Sequence, residues 1–240
     1  MAENSQLSAA LRLNNEAVSL LVAGQECKAL LHLQQAVGIV KRSIARHLQR
    51  GASTILRKPV VSNPESHKHE LTLEQLHQDS VQLAGLNNLQ CFVFNRAFRV
   101  TSDQLPSSPI EKAAQTGSAI IIFNMALVLH RACLLQNRTV PASKALALYK
   151  IVLHLIKSSS ASPASSSVQD IGRAIQVAAL NNMAQLRFEE GQYAQASRDF
   201  GSLANLMTTI QQAPLGATEM QGIVINILCL KKGAKFAPAA

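Results

Sequence analysis

A spacing of asparagine, alanine and glycine that occurs twice without a gap constrains this chain more than any other feature. The two sets are Leu13, Asn15, Ala17, Gly24, Ala29, Leu33 and Ala36, and Leu180, Asn182, Ala184, Gly191, Ala196, Phe200 and Leu203. A third set has the same ends, with about seven more residues between them, around positions 136–143: Ile122, Asn124, Ala126, Ala145, Tyr149 and Val152. Apolar residues recur at steps of three and four on both sides of the expected turn in each set. Each set therefore predicts two amphipathic helices joined as a hairpin.

The small residues of the pattern explain why these helices would pack closely. Ala184 on the first helix and Ala196 on the second are expected to face each other, because alanine lets two backbones approach. Gly24 and Gly191 are expected at the turns, where a positive φ favours glycine. Leu33, Tyr149 and Phe200 are expected between adjacent hairpins.

These units resemble the tetratricopeptide repeat (TPR), a helix-turn-helix unit of about 34 residues. The resemblance covers about half of the chain and is clearest at positions 180–203. It implies an all-α fold of TPR-like antiparallel hairpins, similar to an α-solenoid. The chain departs from the family because the usual early tryptophan is absent and the units are not contiguous. A generic helical bundle is the alternative.

The chain is expected to form one domain of 240 residues in several parts. The first hairpin covers residues 1–49, and an irregular insertion covers 50–111. Two further hairpins and a terminal helix occupy 112–232, divided by a serine-rich connector at 158–167, and 233–240 form a tail. In the insertion we predict a helix at 72–83 and a strand or extended segment at 91–100. Three phenylalanines in that last segment indicate that it packs against other residues.

Composition favours an intracellular, soluble protein in the cytoplasm or nucleus. The 48% hydrophobic content supplies a core, and the N-terminus lacks the basic and apolar regions of a secretory signal. The apolar window at 119–135 contains Asn124, His130 and Arg131, which favours a buried core helix over a membrane span. The four cysteines form no C-x-x-C pair and are expected to be buried, reduced thiols.

No motif indicates catalysis, a cofactor or a metal site. The chain has no G-x-G-x-x-G, no G-x-x-x-x-G-K-[ST] and no G-x-S-x-G sequence. His67, His69 and His77 lie near Glu70 in a polar stretch, for which a hydrated loop is the favoured interpretation. His130 and His154 are expected to be structural histidines within apolar helices. We therefore expect a non-enzyme.

Two sets of residues are candidates for partner binding. The first set is Asn15, Asn124 and Asn182, which share one position of the repeat. Two interpretations stay open: hydrogen bonds to an extended peptide in a groove, or bonds to backbone and between helices. The family's carboxylate clamp for chaperone tails is disfavoured, since Asn14, Val18, Ala178 and Asn182 stand at its positions and do not reproduce it.

The second set is Arg42, Arg46 and Arg50, spaced as one helical stripe within the basic stretch 41–58, which has no acidic residue. The formal net charge of +9 shows that some surface is basic. The stripe is interpreted as a solvated face, as a contact for an anionic partner, or as a partner for Glu70, Glu74 or Asp79. We expect a protein-interaction adaptor or scaffold that binds a peptide or helix in its groove. A nucleic-acid or anionic-surface binder is the alternative.

Overall fold

The computed structural model describes residues 2–53, 80–82, 92–100, 110–136, 139–159, 166–210 and 215–233. It confirms the all-α class. Seven helices lie in the described ranges, together with two three-residue strands. In chain order the elements are α1 (Ala2–Val22), α2 (Glu26–Ser53), β1 (Ser80–Gln82), β2 (Arg96–Phe98), α3 (Ile110–Gln136), α4 (Thr139–Ser159), α5 (Ser166–Glu189), α6 (Tyr193–Thr209) and α7 (Ala217–Gly233).

Consecutive helices pack as pairs, α1 with α2, α3 with α4 and α5 with α6. Further contacts join α2 to α3 and α4 to α5. The odd-numbered helices also contact one another in the order α1, α3, α5 and α7, so that they form one continuous row. This row is the surface on which the candidate site is built.

The turns at Gly24 and Gly191 are built in the same way. Their φ angles are 71° and 73°, a conformation that glycine adopts without a Cβ penalty. At the first turn the Gly24 amide donates to the Leu21 carbonyl, and the Gln25 amide donates to the Leu20 carbonyl. Gly191 and Gln192 make the equivalent pair of bonds. Both turns are therefore Schellman motifs, and the predicted role of the two glycines is confirmed.

The core contains the small residues that the spacing predicts. Ala17, Ala126 and Ala184 on the first helices are fully buried. Their expected counterparts on the second helices, Ala29, Ala145 and Ala196, are at most 1% exposed. The large residues expected between hairpins, Leu33, Tyr149 and Phe200, are buried as well.

Helix α3 contains the apolar window. The stretch Ala114–Leu135 is long and apolar enough to cross a membrane, and 67% of its apolar window is buried inside the protein. This burial agrees with the expected core helix.

Several boundaries differ from the sequence predictions. Helix α3 ends at Gln136 and α4 begins at Thr139, so the additional residues of the middle unit lengthen its helices instead of forming a long loop. The serine-rich connector is shorter than predicted, because Ser158 and Ser159 belong to α4 while Ser166 and Ser167 belong to α5. Residues 160–165 lie outside the described part.

The predicted helix at 72–83 is wrong at its end, where Ser80–Gln82 forms β1. Residues 72–79 lie outside the description. Strand β1 pairs antiparallel with β2 in the register Ser80–Phe98, Val81–Ala97 and Gln82–Arg96. Backbone pairing across strands outweighs helix propensity at these three positions.

One expectation for the cysteines is also wrong. Cys133 is a buried free thiol, but Cys27 is exposed in the first turn of α2. Burial and the charges of Glu190 and Glu189 raise the pKa of Cys133. Cys91 and the side chain of Cys229 lie outside the description.

Candidate functional site

An extended segment of the chain itself, residues 92–100, lies across the row of odd-numbered helices. Its centre is strand β2, and the residues on either side of β2 have no regular hydrogen-bonding partner strand among the described residues. Phe94 and Phe98 are 0% and 1% exposed. The prediction that this segment is extended and packed is therefore confirmed.

Each odd-numbered helix supplies one asparagine that binds both backbone groups of one segment residue. We call these four side chains the asparagine ladder. They are Asn226 on Phe92, Asn182 on Phe94, Asn124 on Phe98 and Asn15 on Val100. In each pair the segment amide donates to Oδ1 at 2.8–3.0 Å, and Nδ2 donates to the segment carbonyl at 2.6–3.0 Å.

The segment runs antiparallel to the helix order, from α7 at Phe92 to α1 at Val100. Eight residues of extended chain span about 26 Å at ~3.3 Å per residue. Three steps between adjacent packed helices cover about 24–30 Å at ~8–10 Å each. The two total lengths agree, although the ladder residues are two, four and two positions apart, so an extended chain is long enough to reach all four helices.

A neighbouring asparagine reinforces the ladder on two helices. Asn14 donates to Asn15 Oδ1 and to the Phe98 carbonyl, at 3.2 and 3.0 Å. Asn181 donates in the same way to Asn182 Oδ1 and to the Phe92 carbonyl, both at 3.2 Å. The first asparagine of each pair thus reaches the carbonyl that the adjacent helix already binds.

Asparagine amides also connect the helices directly. Asn124 donates to Asn14 Oδ1 at 2.8 Å, and Asn226 donates to Asn181 Oδ1 at 2.8 Å. The second of the two interpretations, bonds to backbone and between helices, is therefore confirmed, whereas binding of a separate peptide stays a prediction. Asn124 and Asn14 contact an extended chain and also bond between helices.

Aromatic packing fixes the side chains of the segment. The rings of Phe94 and Phe98 stack with centroids 5.6 Å apart. Phe123, which precedes Asn124 on α3, contacts both rings with centroids 5.9 and 5.3 Å away. The ring of Tyr149 also contacts Phe123, with centroids 5.9 Å apart. The ladder thus holds the backbone, and this cluster holds the side chains.

A buried chain of hydrogen bonds through Tyr149, His130 and Gln185 holds the Asn182 side chain. Asn182 Nδ2 donates to the Tyr149 hydroxyl at 3.2 Å, and that hydroxyl lies 3.2 Å from His130 Nδ1. His130 Nε2 lies 2.7 Å from Gln185 Oε1. Because the Gln185 oxygen only accepts, His130 carries its proton on Nε2 and accepts from Tyr149 at Nδ1.

Burial shifts the pKa values of His130 and Tyr149 in this chain of hydrogen bonds. Loss of hydration lowers the pKa of His130 to about 4, and the bond to Gln185 only partly opposes it. Burial likewise raises the pKa of the Tyr149 hydroxyl, although the bond from Asn182 lowers it. Both groups are neutral at physiological pH, and His130 is the structural histidine that the sequence predicts.

Ion pairs and polar side chains fix the remaining segment residues. Arg96 lies 3.3 Å from Glu219 of α7, and Arg131 donates to Asn95 Oδ1 at 3.2 Å. Arg131 also pairs with Glu26 of α2 at 3.2 Å, and Arg99 donates to the Ser19 hydroxyl at 3.0 Å. These contacts distinguish residues 92–100 from a generic extended chain.

The two sets of predicted candidates lie apart in the structure. Asn15, Asn124 and Asn182 are all members of the ladder. Arg42 is exposed on α2, a helix that contributes nothing to the ladder. Arg46 and Arg50 lie in α2, and their side chains are outside the described set.

Asn226 is the member of the ladder that was not predicted from the sequence, and the neighbouring asparagine Asn181 was not predicted either. Residues 224–228 repeat the apolar-x-Asn-x-apolar spacing of the other helices, with leucine in place of alanine. An asparagine within an otherwise apolar helix was the available signal. Among the described residues, no group of three or more His, Cys, Asp or Glu side chains is placed to hold a metal ion.

Comparison with family models, with curated proteins and with solved structures finds no match to this chain.

Proposed function

We propose that this chain is a non-enzymatic protein–protein interaction module, an adaptor or scaffold with a TPR-like groove that binds an extended peptide. The observation that supports the proposal is the asparagine ladder. In the segment, its four side chains bind backbone groups and no side chains. The same contacts are therefore available to another extended chain whose side chains fit the groove. In this chain the bound peptide is its own segment, residues 92–100.

The side chains around the ladder define which peptide the groove accepts. Phe94 and Phe98 are buried against Phe123, so we expect large apolar residues at two positions four apart. Arg96 lies between them and pairs with Glu219. A peptide with this pattern would satisfy both the backbone bonds and the aromatic cluster.

Exchange of the segment tests the proposal. Protease sites are inserted at residues 60–70 and 103–107, outside the described ranges, so that cleavage leaves the segment held without covalent links to the helices. A fluorescent peptide of residues 90–102 is then added, and its binding is followed by anisotropy. We expect saturable binding that Asn182→Ala weakens about tenfold or more, because two backbone hydrogen bonds are lost.

Asn205→Ala is the matched control, since Asn205 is exposed on α6 away from the segment. It should leave peptide binding unchanged. A cleaved protein that never exchanges its segment, or equal binding to the Asn182→Ala variant, would contradict a peptide-binding groove.

A second candidate function is binding of a nucleic acid or another anionic surface through residues 41–58. It is favoured by the exposure of both Lys41 and Arg42 on α2. Binding to phosphates would weaken steeply with salt. A titration with a 20-base-pair DNA at low and high salt measures this directly.

A further inference from the structure

A small apolar pocket lies between α2 and α4 and against α3. Its volume is about 110 Å³, and its walls are aliphatic. The lining apolar side chains are Val37 and Val40 of α2, Ile121 and Ile122 of α3, and Ile151 and Leu155 of α4. At 100° per residue, Ile122 lies about 160° round α3 from Asn124, whereas Ile121 lies about 60° from it, so the pocket and the ladder use neighbouring faces of α3.

The pocket is open to solvent at α4. Ile151 is 45% exposed although it is a large aliphatic residue. The volume is somewhat smaller than the ~150 Å³ of an apolar cavity that holds benzene, which is room for one branched aliphatic side chain. An apolar group placed there would leave water and contact carbon on three helices.

The helices on either side of this aliphatic pocket carry cationic side chains. Lys41 lines it, and Arg42 follows on α2. Helix α4 contains no aspartate or glutamate, while Lys144 and Lys157 are exposed on it. Lys150 is also exposed, but its charge acts on Asp199 of α6. The only acidic residue of α2 is Glu26. It pairs with Arg131 and lies about 22 Å from Lys41, at ~1.5 Å per residue.

We propose that this pocket binds an acidic segment of a partner protein that carries one branched aliphatic side chain between carboxylates. The aliphatic side chain fills the pocket, and the carboxylates face Lys41 and Arg42. Charge complementarity selects the acidic flanks, and the apolar walls select the central residue. This inference uses a surface separate from the groove and does not rest on the peptide proposed there.

The same observations argue against a nucleic acid at this surface. A phosphate backbone has no aliphatic group to place in the pocket. Helix α2 contains no Phe, Tyr or Trp, and Tyr149, the aromatic residue of α4, is fully buried. Helices α2 and α4 therefore offer no exposed aromatic side chain on which a base could stack.

The test uses the full chain and a fluorescein-labelled decapeptide in which one leucine stands between two runs of Asp and Glu. Binding is measured by anisotropy at low salt. We expect Ile151→Ser in the protein, and Leu→Ser in the peptide, each to weaken binding about tenfold, because apolar burial is lost. Lys41→Glu combined with Arg42→Glu should weaken it by at least the same factor.

Matched controls come from other parts of the described surface. Ile225→Ser removes an isoleucine that is 49% exposed on α7, and Lys28→Glu reverses a charge at the far end of α2. Both should stay within about twofold of the unmodified protein. Melting temperatures of all variants separate loss of binding from loss of folding.

Four results would overturn the proposal. The first is a peptide whose affinity does not depend on its leucine. The second is a 20-base-pair DNA that binds more tightly than the peptide and is insensitive to Ile151→Ser. The third is peptide binding only after Glu70→Gln, Glu74→Gln and Asp79→Asn, which would make the chain itself the occupant. The fourth is a dissociation constant of the peptide above about 1 mM.

Discussion

Asn182 of α5 binds both backbone groups of Phe94. The Phe94 amide donates to Oδ1 at 2.8 Å, and Nδ2 donates to the Phe94 carbonyl at 2.9 Å. All of these atoms belong to buried residues. A side-chain amide here takes the place of a neighbouring β-strand, because it offers one acceptor and one donor at the spacing of a peptide group.

Asn182→Ala should therefore destabilise the protein by about 2–4 kcal/mol. The substitution leaves a buried amide and a buried carbonyl without partners, at ~1–3 kcal/mol each, of which entering water recovers a part. Urea unfolding followed by circular dichroism measures the change. Asn205→Ala, on the exposed face of α6, should change the free energy of unfolding by less than about 0.5 kcal/mol. Equal effects of the two substitutions would contradict the role of the ladder.

Gly222→Ala should detach the start of the segment. A Cβ at Gly222 would collide with the ring of Phe92, although alanine is about 1 kcal/mol better than glycine within a helix. Gly201→Ala on α6 is the matched control, since no atom lies within 4 Å of its added Cβ. We expect thermal unfolding to show a lower melting temperature for Gly222→Ala and a higher one for Gly201→Ala. A stabilised Gly222→Ala variant would show that Phe92 is not held against α7.

Ala196→Phe should force α5 and α6 apart. Ala196 is 1% exposed and Ala184 fully buried, so the added ring overpacks the hairpin at a cost of about 1–3 kcal/mol. For a chain of this size, each kcal/mol lowers the melting temperature by about 2–4 °C. Ala194→Phe places the same ring on the exposed side of α6 and should leave the melting curve nearly unchanged. An unchanged curve for Ala196→Phe would refute the predicted alignment of the hairpin.

Acidification should destabilise the chain partly through His130. Its pKa is about 4 in the folded protein and about 6.5 when unfolded. Between these two pKa values the unfolded state binds a proton that the folded state does not. The contribution of neutral His130 to the free energy of unfolding is therefore present above pH ~6.5 and is lost as the pH falls toward 4. The full contribution is on the order of 3 kcal/mol. Urea unfolding at several pH values should show a shallower pH dependence for His130→Gln than for the unmodified protein.

The matched control for that measurement is His32→Gln, which removes a half-buried histidine on α2 that bonds the Lys28 carbonyl. Identical pH dependence in His130→Gln and the unmodified protein would exclude His130 as the source. His130→Gln is also expected to lower stability at neutral pH, because Tyr149 loses its acceptor.

The sequence by itself determined the helical class, the two glycine turns and the small residues that are buried in the hairpins. These features depend on contacts within about 35 residues, where helical periodicity and the φ preference of glycine act locally. It also identified Asn15, Asn124 and Asn182 as equivalent, because the same offset recurs in each hairpin.

Only the tertiary structure decided what those asparagines bind. Asn15 and Val100 are 85 positions apart, and Phe92 and Asn226 are 134 apart. No local preference relates such distant residues, and an asparagine amide suits a helix cap, an interhelical bond or a peptide equally well. The hydrogen-bond partners of these asparagines are fixed when the four odd-numbered helices form one row. The extended segment then provides hydrogen-bond partners for the asparagine side chains of these helices. The asparagines in turn provide partners for the backbone groups of the segment.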